Sequence, residues 1–253
     1  VASGRAPLSN GHESLLFIAL AVALAGLVFE LVYRMGVPAG LGGLLTVVVL
    51  GVSMLSTFDP AIGPLVPVLV SYWLNIHVTI ITSSSGFLGL AALIGALIMI
   101  LYLTKRPGRE NVREAISTLD NINYHVMVTG LGLLTIGTLL GGVWANESWG
   151  RYWGWDAKET WSLITILVYA VVLHFRWIPQ LRSVWLNASG ALAAIASVVM
   201  TYFGVNYFLT GLHSYASGDA AEVPDWVFIG TGITLALIIV SGLVSRAKSW
   251  EKA

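Results

Sequence analysis

The sequence contains no cysteine and very little charge, and both absences narrow what this protein can be. Without thiols the chain forms no disulfide, binds no metal through thiolates and has no cysteine nucleophile. Any metal must therefore be held by histidine, methionine, tyrosine or carboxylate side chains. Charged residues make up 10 % of the chain, against about a quarter in soluble domains. The few basic residues form short clusters and no basic patch, so a polynucleotide partner is not expected.

Apolar residues dominate the 253-residue chain, with 57 % hydrophobic residues and a mean hydropathy of +0.82. A membrane-spanning helix needs about 20 apolar residues, and seven segments reach or approach that length. They cover residues 15–33, 38–57, 86–104, 126–146, 158–176, 186–204 and 226–245. We therefore predict an all-α integral membrane protein, a polytopic bundle of about seven transmembrane helices that forms a single domain over residues 1–253.

The run Ile62 to Ile81 lies between the second and third segments and has two interpretations, an eighth span or an interfacial segment. Ten of the thirteen Lys and Arg residues fall on one side of the membrane if this run does not cross it. Basic residues concentrate in cytoplasmic loops, a tendency known as the positive-inside rule. The rule therefore favours the interpretation of Ile62 to Ile81 as an interfacial segment at the outer face. The positive-inside rule also assigns residues 105–123 to a polar inner loop, and Val112 to Leu119 is a candidate short surface helix within it.

The predicted outer loop 146–161 concentrates tryptophan and charge, with four of the ten tryptophans and four charged residues between Trp149 and Trp161. Asp156 and Glu159 have the spacing of a capping box, which alone could explain both carboxylates. It does not explain the tryptophans. A broad indole surface edged with cations suits a planar, apolar, dianionic ligand. The candidate binding residues are Trp149, Arg151, Tyr152, Trp153, Trp155, Asp156, Lys158 and Trp161.

Two histidines, His77 and His213, are predicted to lie on the outer face, because four spans separate them. Two neutral imidazoles facing each other across an aromatic slot would suit a haem with two axial histidines. Alternatively, each histidine anchors its helix in the headgroup region, as Trp and Tyr do. Composition and topology leave both interpretations open.

His174 is predicted to lie at the opposite face of the membrane. It follows Asp156 by 18 residues, which is about 27 Å along a helix. An ionisable residue in a spanning helix is a functional-site hypothesis. However, Arg176 follows closely, so His174 can also be an ordinary terminal residue that reaches the inner water.

The segment Trp149 to Trp161, with the sequence WGRYWGWDAKETW, resembles the tryptophan-rich WWD signature of the haem-handling proteins of cytochrome c biogenesis. Its KETW continuation and the later run Gly204 to Tyr215 resemble the CcsA branch of System II rather than the CcmC branch of System I. The resemblance covers about residues 60–246 and is strongest over 124–215. Ala157 is a departure, because proline is expected there in much of the family.

This resemblance implies a protein that acts with a CcsB partner, moves haem b across the membrane and attaches it covalently to apocytochrome c. His77 and His213 would be the outer axial ligands and catalytic residues, and the tryptophan signature would form the haem platform. His174 would ligate a separate membrane-embedded haem, with the second ligand supplied by CcsB. A thioredoxin-like protein that reduces thiols is a further implied partner.

The chemistry implied by the resemblance is the formation of thioether bonds between haem vinyl groups and the thiols of a Cys-x-x-Cys-His segment. The membrane would be the bacterial cytoplasmic membrane, or the thylakoid membrane in a plastid, with attachment on the periplasmic or lumenal face. An alternative within the family is an exporter or loader that passes haem to a separate chaperone. An ion-coupled transporter or proton-pathway subunit is a more remote alternative, since it requires mid-membrane carboxylates or broken helices.

Overall fold

The computed structural model describes residues 8, 10–55, 71–104, 108–209, 211, 223 and 225–247, and among these there are helices and turns but no strand. The helices are α1 (Gly11–Tyr33), α2 (Val37–Ser53), α3 (Tyr72–Leu103), α4 (Glu110–Trp149), α5 (Ala157–His174), α6 (Val184–Val199), α7 (Val205–Phe208) and α8 (Asp225–Ala247). A 3-10 turn (Phe175–Trp177) extends α5, and a π-helical turn (Met200–Gly204) joins α6 to α7. The predicted all-α bundle is confirmed.

Six of these helices are long and apolar enough to cross a membrane, and α2 is a shorter apolar helix of 17 residues. The third span is longer than predicted, because Tyr72 to Ile81 are the first turns of α3 and not part of a separate segment. The part of the predicted interfacial run before residue 71 lies outside the described residues. Hydroxyl groups in these turns bond to carbonyls of their own helix, as Thr79 does to Asn75 O at 2.7 Å, which satisfies polar groups inside a span.

The fourth span also starts earlier than predicted, since α4 is helical from Glu110 onward. The assignment of residues 110–123 to a loop is therefore wrong, although the short helix predicted at Val112 to Leu119 is helical as part of α4. Ile116, Leu119 and Ile122 recur at helical spacing and are buried in the core. Polar residues between them lower the local hydropathy, so a search for apolar runs misses this amphipathic stretch.

The bundle has two ends that carry different chemistry. At the tryptophan end, where α3 and α5 begin and α4 ends, Ser71 Oγ donates to Glu147 Oε2 at 2.8 Å. At the arginine end, where α3 and α5 end and α4 begins, Arg176 forms an ion pair with Asp120. The Arg176 guanidinium also lies 4.3 Å from the ring centre of Tyr124. Contacts between residues far apart in sequence thus fix which helix ends lie together.

α3 is the central helix and packs against α1, α2, α4, α6 and α8. Its core side chains are fully buried, among them Leu88, Ile94 and Ile98. Small residues let helices approach closely in membranes. A Cβ at Gly95 would lie only 2.6 Å from Ala188 O, so the backbones of α3 and α6 touch at this point.

Replacement of Gly95 with alanine is expected to destabilise the bundle by about 1–3 kcal/mol, because the added methyl group is forced against a carbonyl. The measurement is the thermal unfolding midpoint of the detergent-solubilised protein. Gly132→Ala is the matched control, since a Cβ at Gly132 meets no atom within 4 Å. Equal midpoints for the two variants would contradict the close contact of α3 with α6.

Candidate functional site

A cavity of about 380 Å³ lies among α3, α4, α5 and the π-helical turn at the tryptophan end. Its size falls within the range of roughly 300–1,000 Å³ that is typical of small-molecule sites. Aromatic rings line the part near the loop between α4 and α5: Trp144, Trp149, Tyr152 and Trp153. Hydroxyl groups line much of the deeper part: Thr82, Ser84, Thr138, Ser162, Thr165 and Thr201.

His77 lines this cavity from the second turn of α3, and α4 fixes the orientation of its ring. Its Nδ1 lies 2.7 Å from Gly137 O. A carbonyl can only accept a hydrogen bond, so in the neutral imidazole Nδ1 carries the hydrogen and Nε2 carries the lone pair. Histidines that ligate metals are commonly oriented in this way. The ring packs against Gly141, where a Cβ would lie 2.6 Å from the imidazole Cε1.

The loop between α4 and α5 is held in a strained conformation by a carboxylate. Trp155 has a φ of +56°, in the left-handed region that costs a non-glycine residue about 1–3 kcal/mol. Glu159 Oε2 accepts hydrogen bonds from the backbone N–H groups of both neighbours of Trp155. These bonds measure 2.7 Å from Gly154 N and 3.2 Å from Asp156 N. The side chain of Glu159 therefore stabilises the turn that displays Trp155.

The loop between α4 and α5 has one indole ring towards the cavity and another that is exposed. Trp153 lines the cavity, and its buried Nε1 has no hydrogen-bond partner among the described residues. Trp155 packs edge-on against it, with ring centres 5.8 Å apart, and is 71 % exposed. The Arg151 guanidinium covers Gly154 so closely that a Cβ there would lie 2.6 Å from Cζ. The loop thus offers an aromatic surface, a buried N–H donor and an exposed cation.

The first turn of α5 has the capping box that the sequence predicts. Asp156 Oδ1 accepts from Lys158 N at 2.8 Å, while Glu159 returns the bond to the backbone of the N-cap. The Lys158 ammonium turns towards the segment after the π-helical turn and donates to Asn206 Oδ1 at 3.0 Å. Both carboxylates are therefore engaged in holding this turn.

The predicted outer-site residues divide into three groups. Four of them line the cavity together with His77: Trp149, Tyr152, Trp153 and Lys158. Arg151 and Trp155 form the second group and are exposed on the loop. Asp156 and Trp161 form the third group and bond within the protein. Asp156 caps α5, and the Trp161 carbonyl accepts hydrogen bonds from Thr165 and Thr201. His213 lies outside the described residues.

His174 is the last residue of α5 and lies at the arginine end, as its spacing from Asp156 predicts. The imidazole is exposed, and its Nδ1 lies 2.6 Å from Ala170 O, so Nε2 carries the lone pair in the neutral ring here too. Leu167 and Val171 are exposed at helical spacing before it. His174 therefore lies at the end of an exposed, apolar face of α5. It does not line the cavity that His77 lines.

Three features of the site were not predicted from the sequence. Trp144 is buried and packs edge-on against Trp149, with ring centres 4.7 Å apart. Tyr202 reaches the cavity from the π-helical turn, and Glu159 holds the loop as well as the cap. The spacing of Trp144 before Trp149 is the one signal in the sequence that could have indicated its role. Within the described ranges, no three His, Asp or Glu side chains converge to form a metal centre.

Comparison with known proteins gives consistent results. Residues 8–213 match the family described as cytochrome C assembly protein. The chain is 45 % identical to Protein NrfI of Wolinella succinogenes, over a match that covers 86 % of this chain and 24 % of that protein. It is 38 % identical to cytochrome c biogenesis protein CcsA of Chlamydomonas reinhardtii, over 84 % of this chain and 62 % of that one.

A further relative is the protein of the same name from Guillardia theta, with 35 % identity over 85 % of this chain and 78 % of that protein. The chain thus spans about a quarter of the Wolinella protein and somewhat under two thirds of the Chlamydomonas protein.

Glu159→Ala is expected to release the loop and to speed trypsin cleavage after Arg151 by about tenfold or more, because hydrogen bonds to a charged group contribute roughly 1.5–3 kcal/mol. Mass spectrometry of the fragment that ends at Arg151 measures the cleavage rate. Glu147→Ala is the control, since Glu147 bonds to Ser71 at the same end without touching the loop. A wild-type cleavage rate in Glu159→Ala would contradict the role of this carboxylate.

Proposed function

The chain belongs to the cytochrome c assembly protein family, and from that membership we propose that its cavity at the tryptophan end binds haem for covalent attachment to apocytochrome c. The membership itself assigns the chain to cytochrome c biogenesis. One observation carries the finer proposal. His77, with its ring oriented by Gly137, lines the same cavity as Trp149 and Trp153.

The residues of this cavity match the chemistry of haem b as a substrate. Indoles offer flat apolar surface to a macrocycle, and the lone pair of a neutral imidazole suits iron. The buried Nε1–H of Trp153 can donate to an acceptor on the ligand. The exposed guanidinium of Arg151 is available to a propionate at the outer side of the loop.

His213 is the proposed second axial ligand. It follows Gly211 by two residues, and Gly211 lies against Asp156 at the start of α5. The last described residue before His213 is therefore adjacent to the tryptophan-rich loop. This neighbourhood supports the pairing of His77 with His213 that the family resemblance implies.

In the proposed reaction, the chain supplies position and iron ligation, while the substrate supplies the nucleophiles. Each cysteine thiol of a Cys-x-x-Cys-His segment adds across one vinyl group. A carbon–sulfur bond forms, the vinyl double bond becomes single, and the thiol proton ends on the other vinyl carbon. No net oxidation occurs. The histidine of the apocytochrome then replaces one axial histidine, which couples product release to the reaction.

His174 is the proposed ligand of a second haem at the arginine end, with CcsB supplying the opposite ligand. The exposed imidazole at the end of the apolar face with Leu167 and Val171 supports this assignment, because another membrane helix can cover that face. A thioredoxin-like reductant would keep the apocytochrome thiols reduced. The proposed location is the bacterial cytoplasmic membrane or the thylakoid membrane, with attachment on the periplasmic or lumenal side.

His77→Gly is expected to convert the haem in the cavity from a six-coordinate, low-spin form to a form that has lost one ligand, and added imidazole should restore its low-spin spectrum. The reason is that free imidazole can occupy the space beside Gly137 that the side chain leaves. Absorption spectra of the full chain, purified with its CcsB partner from haem-replete cells, provide the measurement.

His125→Gly is the matched control for this prediction. His125 is an exposed histidine of α4 that bonds to Tyr33 and does not line the cavity. A normal low-spin spectrum in His77→Gly, or an equal loss in His125→Gly, would contradict the assignment of His77.

Haem attachment is distinguished from haem loading by the product. Co-expression of this chain and CcsB with an apocytochrome should give thioether-linked haem that resists acid–acetone extraction. His77→Gly should lower that yield about tenfold or more, as expected when a positioning group in catalysis is lost. Extractable haem transferred without thioether bonds would favour the exporter or loader instead.

A further inference from the structure

Three described residues, Thr201, Asn206 and Gly211, contact the first turns of α5. Thr201 Oγ1 lies 3.2 Å from Trp161 O and 3.0 Å from Thr165 Oγ1. Lys158 Nζ donates to Asn206 Oδ1 at 3.0 Å. Gly211 follows against the Asp156 carboxylate. The segment that contains these residues therefore runs beside α5 from the cavity's deeper part towards the tryptophan-rich loop.

The central contact joins a buried side-chain amide to a half-buried ammonium. Asn206 is 4 % exposed, and Lys158 lines the cavity from the first turn of α5. The Asp156 carboxylate attracts the same ammonium. A cation in such a place is retained only when it is paired and hydrogen-bonded. The Lys158 side chain thereby binds α5 to the short helix α7.

Gly211 lies beyond α7 and packs against the start of α5. A Cβ at Gly211 would overlap Asp156 Oδ2, so a side chain there would push the segment away from α5. The π-helical turn before α7 adds a residue to one turn and thereby sets which side chain of α7 faces α5. Asn206 is the one that meets Lys158.

We propose that Lys158 and Asn206 are positioning residues, whose bond holds the segment after α7 against α5 and so sets the approach of the second axial ligand to the haem. This proposal rests on the proposed function, with His213 following that segment in the sequence. It also gives Lys158 a role other than a direct contact with a haem propionate.

The test compares Asn206→Leu, which removes the acceptor at similar volume, with Asn206→Asp, which keeps an oxygen at the same place. In the full chain purified with CcsB and haem, Asn206→Leu should lower the ratio of six-coordinate to five-coordinate haem in the cavity about tenfold, the effect expected for loss of a hydrogen bond to a charged group. Added imidazole should restore that ratio. Asn206→Asp should keep the wild-type spectrum, and Lys158→Met should behave like Asn206→Leu.

Ser241→Ala is the control, because it removes a buried bond between helices, from Trp185 Nε1 to Ser241 Oγ at 3.0 Å, far from the cavity. It should leave the haem spectrum unchanged, even if the thermal midpoint falls. Loss of haem in Lys158→Met together with a normal Asn206→Leu would overturn the proposal, since Lys158 would then contact the ligand directly. A loss in Asn206→Leu that imidazole does not restore would also overturn it, because the contact would then be structural only.

Different spectra would contradict the proposed function and the positioning role of Lys158 and Asn206. A wild-type complex without low-spin haem overturns the proposed function and this inference with it. A wild-type low-spin spectrum that persists unchanged in Asn206→Leu overturns this inference alone.

Discussion

The hydrogen bond between the His77 imidazole and the Gly137 carbonyl is the contact on which the site depends. It joins α3 to α4 inside the bundle, and it assigns the hydrogen to Nδ1 and the lone pair to Nε2. The contact requires the helices to approach closely, and Gly141 provides the room one turn beyond Gly137. Packing between two spans thus fixes which nitrogen of the His77 ring carries the lone pair.

Two carboxylates and a lysine hold the tryptophan-rich loop beside this contact between α3 and α4. Glu159 holds the strained turn at Trp155, and Asp156 caps α5. Lys158 joins the same turn to Asn206. Asp156, Lys158 and Glu159 therefore bond to groups of the protein, while Arg151 stays exposed and the indole rings of Trp149 and Trp153 line the cavity.

Local features were predictable from the sequence, and contacts between distant residues were not. The capping box spans three residues, so its spacing alone predicts it, and the apolar runs predict the spans. The start of α3 was predicted too late because polar side chains that bond to their own helix reduce the apolar signal. The partners of His77 and Lys158 lie 60 and 48 residues away in the sequence, and no pattern in one sequence indicates such pairs.

The most direct test of the account is an experimental structure of this chain with its CcsB partner and bound haem. The account predicts a haem in the cavity at the tryptophan end, with His77 Nε2 bonded to iron, His77 Nδ1 still on the Gly137 carbonyl, and the macrocycle against Trp153. A haem bound elsewhere at this end, or a His77 ring turned away from the iron, would contradict it.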